Sequence, residues 1–185
     1  MEDIKRRLFL TGPIGCGKST AISRALGSRL YRCGGFLTRH RQEGSGKYFS
    51  LEKPDGTAGE IFLDVSGGSP TVKPEVFSGF GISLLCGNVV ILDEIGGIEL
   101  LSPEFSGALY RLLKSDVPVI GVLKSPESAR TMVKALGMYD EFLPAAERLK
   151  AFLLSDGDTL LYHCGQYDKN ALLLAQRWVR KYIND

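Results

Sequence analysis

The sequence predicts an α/β fold, with a mostly parallel sheet, helices on both of its faces and an antiparallel meander. Three observations carry this reading. Apolar strand-like runs alternate with stretches of helical spacing from Leu8 to the C-terminal end. The runs "RLFLTG", "NVVILDEIGG" and "VPVIGVLK" are apolar almost throughout, as strands buried on both faces are. Between the first two, three short runs are separated by turn signals rather than by helical stretches.

"RLFLTG" reads as the first buried strand. From Lys18 to Arg32 the spacing becomes helical, with Ala21, Ile22, Ala25, Leu26 and Leu30 on one face and Gly34–Gly35 as the stop. "GFLTRH", "KYFSLEK" and "EIFLDV" follow as strands, joined by the hairpin signals "RQEGSG" and "PDGT". "SGGSPTVKP" reads as a loop, and "EVFSGFGISLLC" as a helix weakened by two glycines. "NVVILDEIGG" is the next buried strand. The helix "SPEFSGALYRLLKSD" comes after it, with Ser102 as N-cap and Pro103 at the first helical position. After the strand "VPVIGVLK", "SPESARTMVKALG" repeats the Ser-Pro start and stops at Gly137. "LPAAERLKAFLLS" reads as a helix, "DTLLYHC" as a last strand, and "DKNALLLAQRWVRKYI" as a closing helix.

The 185 residues show no repeat and no linker, so one domain spanning 1–185 is expected. A net charge of +2 gives no reason to expect a nucleic-acid footprint or a membrane anchor. "MEDIKRR" is followed by too short an apolar run for a signal peptide, and the longest apolar stretch, "GISLLCGNVVIL", is broken by Asn88. The four cysteines form no C-x-x-C pair and the two histidines lie far apart, so free thiols in a reducing cytoplasm are expected, not a zinc site. Cys16 stands near a helix start, where thiolates are favoured.

Gly12, Gly17, Lys18 and Ser19 fit G-x-x-x-x-G-K-[ST] between a strand and a helix. The glycines let the backbone curl and approach an anion. Successive amides from Gly12, Pro13, Ile14, Gly15, Cys16, Gly17, Lys18, Ser19 and Thr20 form the expected nucleotide-binding stretch, with proline lending shape rather than an N–H. The following helix adds the positive end of its dipole. Lys18 reaches the outer phosphates and the Ser19 hydroxyl ligates Mg2+. In "VVILDE", a buried strand delivers Asp93 to the same magnesium, and Glu94 beside it polarises a water for attack on the γ-phosphate. Arg39, Arg41, Lys124 and Arg130 are candidates to stabilise transition-state charge, with Arg41 and Lys124 preferred. Asp93–Gly96 spells D-x-x-G, but no guanine-reading N-K-x-D follows, so no base preference is legible.

"FLTGPIGCGKST", "GGFLTRHRQEGSGKYFSLE" and "VVILDEIGGIELLSPEF" resemble the cancer-related or thermophile-type nucleoside-triphosphatase family. The family's "TGPPGVGKTT" corresponds to Thr11–Thr20, with Ile14 and Cys16 among the replacements. Its "DEIGxMEL" corresponds to Asp93–Leu100, with Ile98 in the methionine place, and includes Glu99 without giving it a role. Its "GFxT" and basic hairpin correspond to Gly35–Lys47. The resemblance runs to Lys124. It implies a P-loop NTPase fold, a RecA-like three-layer sandwich, and slow magnesium-dependent hydrolysis of several nucleoside triphosphates. Two other readings stand beside it: a nucleotide or small-molecule kinase, and an NTP-gated module for a protein partner, suggested by the unmatched part from Met138.

Overall fold

The computed structural model describes residues 4–44, 46–66, 69–136, 140–166 and 168–183. Eight strands form one sheet: β1 (Arg7–Thr11), β2 (Gly34–Glu43), β3 (Gly46–Glu52), β4 (Gly59–Asp64), β5 (Thr71–Val72), β6 (Val90–Ile95), β7 (Val119–Leu123) and β8 (Thr159–His163). Their order is β5-β4-β3-β2-β6-β7-β1-β8. The five strands β2, β6, β7, β1 and β8 run parallel, and β2 to β5 continue as the antiparallel meander.

The helices are α1 (Lys18–Leu26), α2 (Pro74–Val76), α3 (Ile82–Leu84), α4 (Pro103–Leu113), α5 (Pro126–Leu136), α6 (Leu143–Ser155) and α7 (Lys169–Tyr182). Alternating side chains of β1 explain why both faces need cover. Leu8 and Leu10 join Ile22, Leu26, Trp178 and Val179 of α1 and α7. Phe9, between them, joins Phe105, Leu109, Leu149 and Leu153 of α4 and α6. The result is the expected three layers.

The structure departs from the sequence reading at four places. The first helix stops at Leu26, and Gly27–Arg32 tightens into a 3₁₀ turn at Gly27, which has φ 54°. Gly34 and Gly35 do not end a helix; they begin β2. A Cβ on Gly35 would lie 1.8 Å from the Ile91 carbonyl oxygen, so these glycines serve the close approach of β2 to β6. "EVFSGFGISLLC" is helical, but a π turn at Phe77–Gly81 joins α2 to α3. The predicted loop contains β5, whose two residues pair with Leu63 and Asp64. The predicted stop at Gly137 lies outside the described residues. Among the described residues no helix is long and apolar enough to cross a membrane.

Candidate functional site

β1 and β6 are not neighbours; β7 lies between them. Their carboxyl ends therefore flank a gap over the end of β7, the place where parallel sheets bind ligands. A cleft of about 230 Å³ opens there. Gly12, Gly15, Gly17, Lys18, Ser19 and Thr20 line one side; Glu94, Lys124, Ser125 and Ser128 line the other.

The loop between β1 and α1 is shaped by backbone no other residue type adopts easily. Gly12, Gly15 and Gly17 all have positive φ. A Cβ on Gly12 would lie 2.4 Å from the Cys164 carbonyl oxygen, so the segment after β8 forms a wall of this loop. The same segment is tied by the Cys164 N–H to the Thr11 carbonyl at 2.7 Å. Lys18 Nζ donates to the carbonyls of Gly12 (3.0 Å) and Pro13 (2.6 Å) and lies 3.5 Å from Cys16 Sγ. The Cys16 side chain is buried in the apolar cluster under α1, so it does not line the cleft, and neither does Pro13. Ile14 does line it, and is exposed.

Asp93 is 4% exposed and lies beneath Ser19, whose hydroxyl donates to Asp93 Oδ1 at 2.6 Å. Burial lifts the Asp93 carboxyl to about 6, against the hydrogen bond from Ser19; the Glu94 charge adds to the rise and Arg39 opposes it. Thr38 of β2 donates to the Asp93 carbonyl at 2.7 Å and fixes the strand end from the other side.

A β-bulge sets Glu94. Leu92 pairs with Gly121 and Ile95 with Leu123, so β6 spends one more residue than β7 over the same span. Glu94 is the only non-glycine with positive φ among the described residues, at 74°. Ile95 consequently joins Val90 and Leu92 in one cluster, whereas strict alternation would place it with Ile91. The bulge thus brings Asp93 under Ser19 and Glu94 to the cleft wall. Lys124 Nζ stands 3.8 Å from Glu94 Oε1.

Of the expected cations, Lys124 lines the cleft and Arg41 does not. Arg41 is 62% exposed, pairs with Glu52 of β3, and lines a separate hollow with Tyr48 and Ile61. It lies too far along β2, where β3 captures its charge. Arg39, two residues nearer, acts on Asp93. Arg130 pairs with Glu147 at the surface. Nothing in the sequence marks Thr38, Ser125 or Ser128 as belonging to the site. Ser125 was visible only as part of a Ser-Pro helix start, and its hydroxyl does accept the Ser128 N–H at 3.1 Å.

A glycine-rich loop at a helix N-terminus, facing a carboxylate across a cleft, can accept an anion such as a phosphate group. A profile of the NTPase family matches residues 7–142. The chain belongs to this family. Its expected enzyme class, nucleoside-triphosphate hydrolase, stands on that membership. Nucleoside-triphosphatase THEP1 of Thermofilum pendens is 30% identical over 146 residues, 71% of this chain and 80% of the relative. The cancer-related nucleoside-triphosphatase homolog of Mus musculus is 33% identical over 148 residues, 67% of this chain and 78% of the relative. The crystal structure of THEP1 from Aquifex aeolicus superposes with a TM-score of 0.64 at 18% identity, covering 96% of this chain and 99% of that one. The P-loop NTPase fold therefore includes the part beyond Met138, which supplies α6, β8 and α7 rather than an appendage.

Proposed function

We propose that this NTPase-family chain is a magnesium-dependent hydrolase of several nucleoside triphosphates, releasing diphosphate and phosphate with little base preference. One observation carries the reading: Glu94 lines the same cleft as Lys18 and Ser19. The Ser19 hydroxyl and the Asp93 carboxylate, 2.6 Å apart, are hard oxygen donors of the kind Mg2+ takes. When bound there, magnesium supplies neutralisation of the charge on the outer phosphates.

The residues of the chain do the rest. The amides of the Gly12–Thr20 loop and the α1 N-terminus hold the phosphates. Lys18 leaves its carbonyl partners to contact the outer phosphate oxygens, and Lys124 offers a second cation on the opposite wall. Glu94 accepts a proton from water as the oxygen attacks the γ-phosphorus; the bond to the β–γ bridging oxygen breaks and diphosphate leaves. The low base preference rests on the resemblance to the nucleoside-triphosphatase family, and the lack of N-K-x-D speaks only against a guanine-specific switch.

The test is phosphate release from four nucleoside triphosphates, with magnesium or a chelator, and with or without nucleoside monophosphate. Glu94→Gln lowers kcat by roughly 10²–10⁴, the usual worth of a general base, with little change in nucleotide affinity. Lys18→Ala loses affinity as well. A Glu94→Gln protein as fast as wild type refutes the base assignment. Phosphorylated acceptor without free phosphate would make the chain a kinase.

A further inference from the structure

Glu99 carries no step of the proposed reaction, yet it is only 5% exposed and lies near enough to Lys124 to feel its charge. Its Oε1 accepts the N–H groups of Gly96 at 2.5 Å and Gly97 at 2.9 Å, and its Oε2 accepts the Gly97 N–H at 3.0 Å. These amides lie just beyond the bulge. Gly96 has φ 94° and Glu94 has φ 74°. A non-glycine residue in the left-handed region persists where its surroundings over-determine it. Thr38 holds the Asp93 carbonyl on one flank of Glu94, and two restraints act on the other. The Lys124 N–H donates to the Ile95 carbonyl at 2.8 Å from the β7 side, and Glu99 clamps the next two amides from the other. A hollow of about 30 Å³, room for about one water, separates Thr38, Glu94, Glu99 and Lys124 from an apolar back wall.

We propose that Glu99 is a positioning residue. Its carboxylate holds the Gly96–Gly97 turn so that the Glu94 carboxylate faces the cleft, and it contacts neither nucleotide nor water in the reaction. The inference rests on reading Glu94 as the group that activates water. It also assigns a task to a buried charge whose desolvation raises its pKa, an effect the Gly97 amide and the Lys124 charge oppose.

Two substitutions separate reach from charge. Glu99→Asp keeps the charge but is one methylene short of the two amides. Glu99→Gln keeps the length and one acceptor oxygen but loses the charge. Positioning gives a kcat loss of roughly 10–100-fold for E99D, as misplacement of a reacting group does, and less than about fivefold for E99Q. The Kd for a non-hydrolysable triphosphate analogue stays within about twofold in both, because the phosphate loop is not touched. The reverse order, with E99D tolerated and E99Q not, overturns the proposal in favour of a role through charge.

A double variant adds the second readout. If Glu99 acts through Glu94, E94Q/E99D is no slower than E94Q alone. Losses that multiply overturn the positioning role. If E94Q is itself as fast as wild type, the failure belongs to the base assignment and not to Glu99. Should E99D not fold, as judged by its thermal melt, E99Q decides: near-wild-type kcat with an unmoved pH–rate profile supports positioning, and a loss as deep as that of E94Q overturns it.

Discussion

Arg39 and Arg41 stand on one face of β2 and meet the same partner, Glu52, at 3.9 Å for Arg39 and more closely for Arg41. Only Arg39 also acts on Asp93. Alanine at Arg41 therefore leaves kcat/KM within about twofold, whereas alanine at Arg39 lowers it by about threefold to tenfold, as loss of a half-exposed cation near developing charge does. Steady-state kinetics of the two variants check this, and equal losses would return Arg41 to the site. The sequence shows an arginine pair but not that both reach Glu52, which the register sets opposite Leu37. The Gly12–Thr20 loop is legible because its cleft-lining groups are contiguous and the motif fixes glycine, lysine and a hydroxyl at set offsets. Thr38 and Ser128 reach the site only through space, so nothing in their local sequence marks them.

The decisive element is β6. Its apolar run announces a buried strand, and "DE" announces a carboxylate edge. The bulge that turns those two side chains to different tasks is not written in the run, because a period of two cannot show an extra residue opposite its neighbour. The same limit hides the end of α1: Leu26 and Leu30 keep helical spacing across the change to a 3₁₀ turn at Gly27. By contrast, the Ser102 cap and Pro103 start of α4 follow from local chemistry alone, and the hydroxyl accepts the Phe105 N–H at 3.2 Å as expected. The strain in β6 has a measurable sign. Glu94→Gly relieves a left-handed conformation and leaves Gly96 and Gly97 in place, so the ligand-free protein gains about 1 kcal/mol while losing hydrolysis. Denaturant titration alongside phosphate release checks both halves; a destabilised variant would mean the bulge carries no strain.

At the scale of the whole molecule, a buried guanidinium holds the end of the sheet opposite the cleft. Arg7, 4% exposed, donates to Asp156 through Nε at 2.8 Å and a second nitrogen at 3.2 Å, and to the Ser115 carbonyl at 3.1 Å. It thus links β1 to the turns before β7 and β8. Burial opposes ionisation of Asp156, but hydrogen bonds from Arg7 and Thr159 outweigh it and hold the carboxyl below the usual range. A depressed folded pKa gives stability that is present above the unfolded value and lost as pH falls through the folded one. Asp156→Asn therefore costs about 2 kcal/mol near pH 7, where Arg7 keeps only one carboxylate, the longer contact to Asp158 at 3.6 Å. The gap to wild type narrows as the pH drops below the usual carboxylate range. Thermal melts across that range check it, and a gap independent of pH would assign the loss to packing. The α/β alternation and the covered sheet were legible here because both faces are apolar. The place of β8 beside β1 was not, since pairing across the whole chain leaves no local trace.

That pairing has a consequence for how the enzyme comes to exist. β1 is the first of the eight strands to be made, but the two that flank it, β7 and β8, are the last. The Cys164 carbonyl that packs against Gly12 follows later still. On the ribosome, the Gly12–Thr20 loop is therefore made before the strands that flank β1, and its walls exist only once β8 has been made. A nucleoside triphosphate is thus no template for the nascent chain; the cleft is complete only after synthesis has passed the last strand.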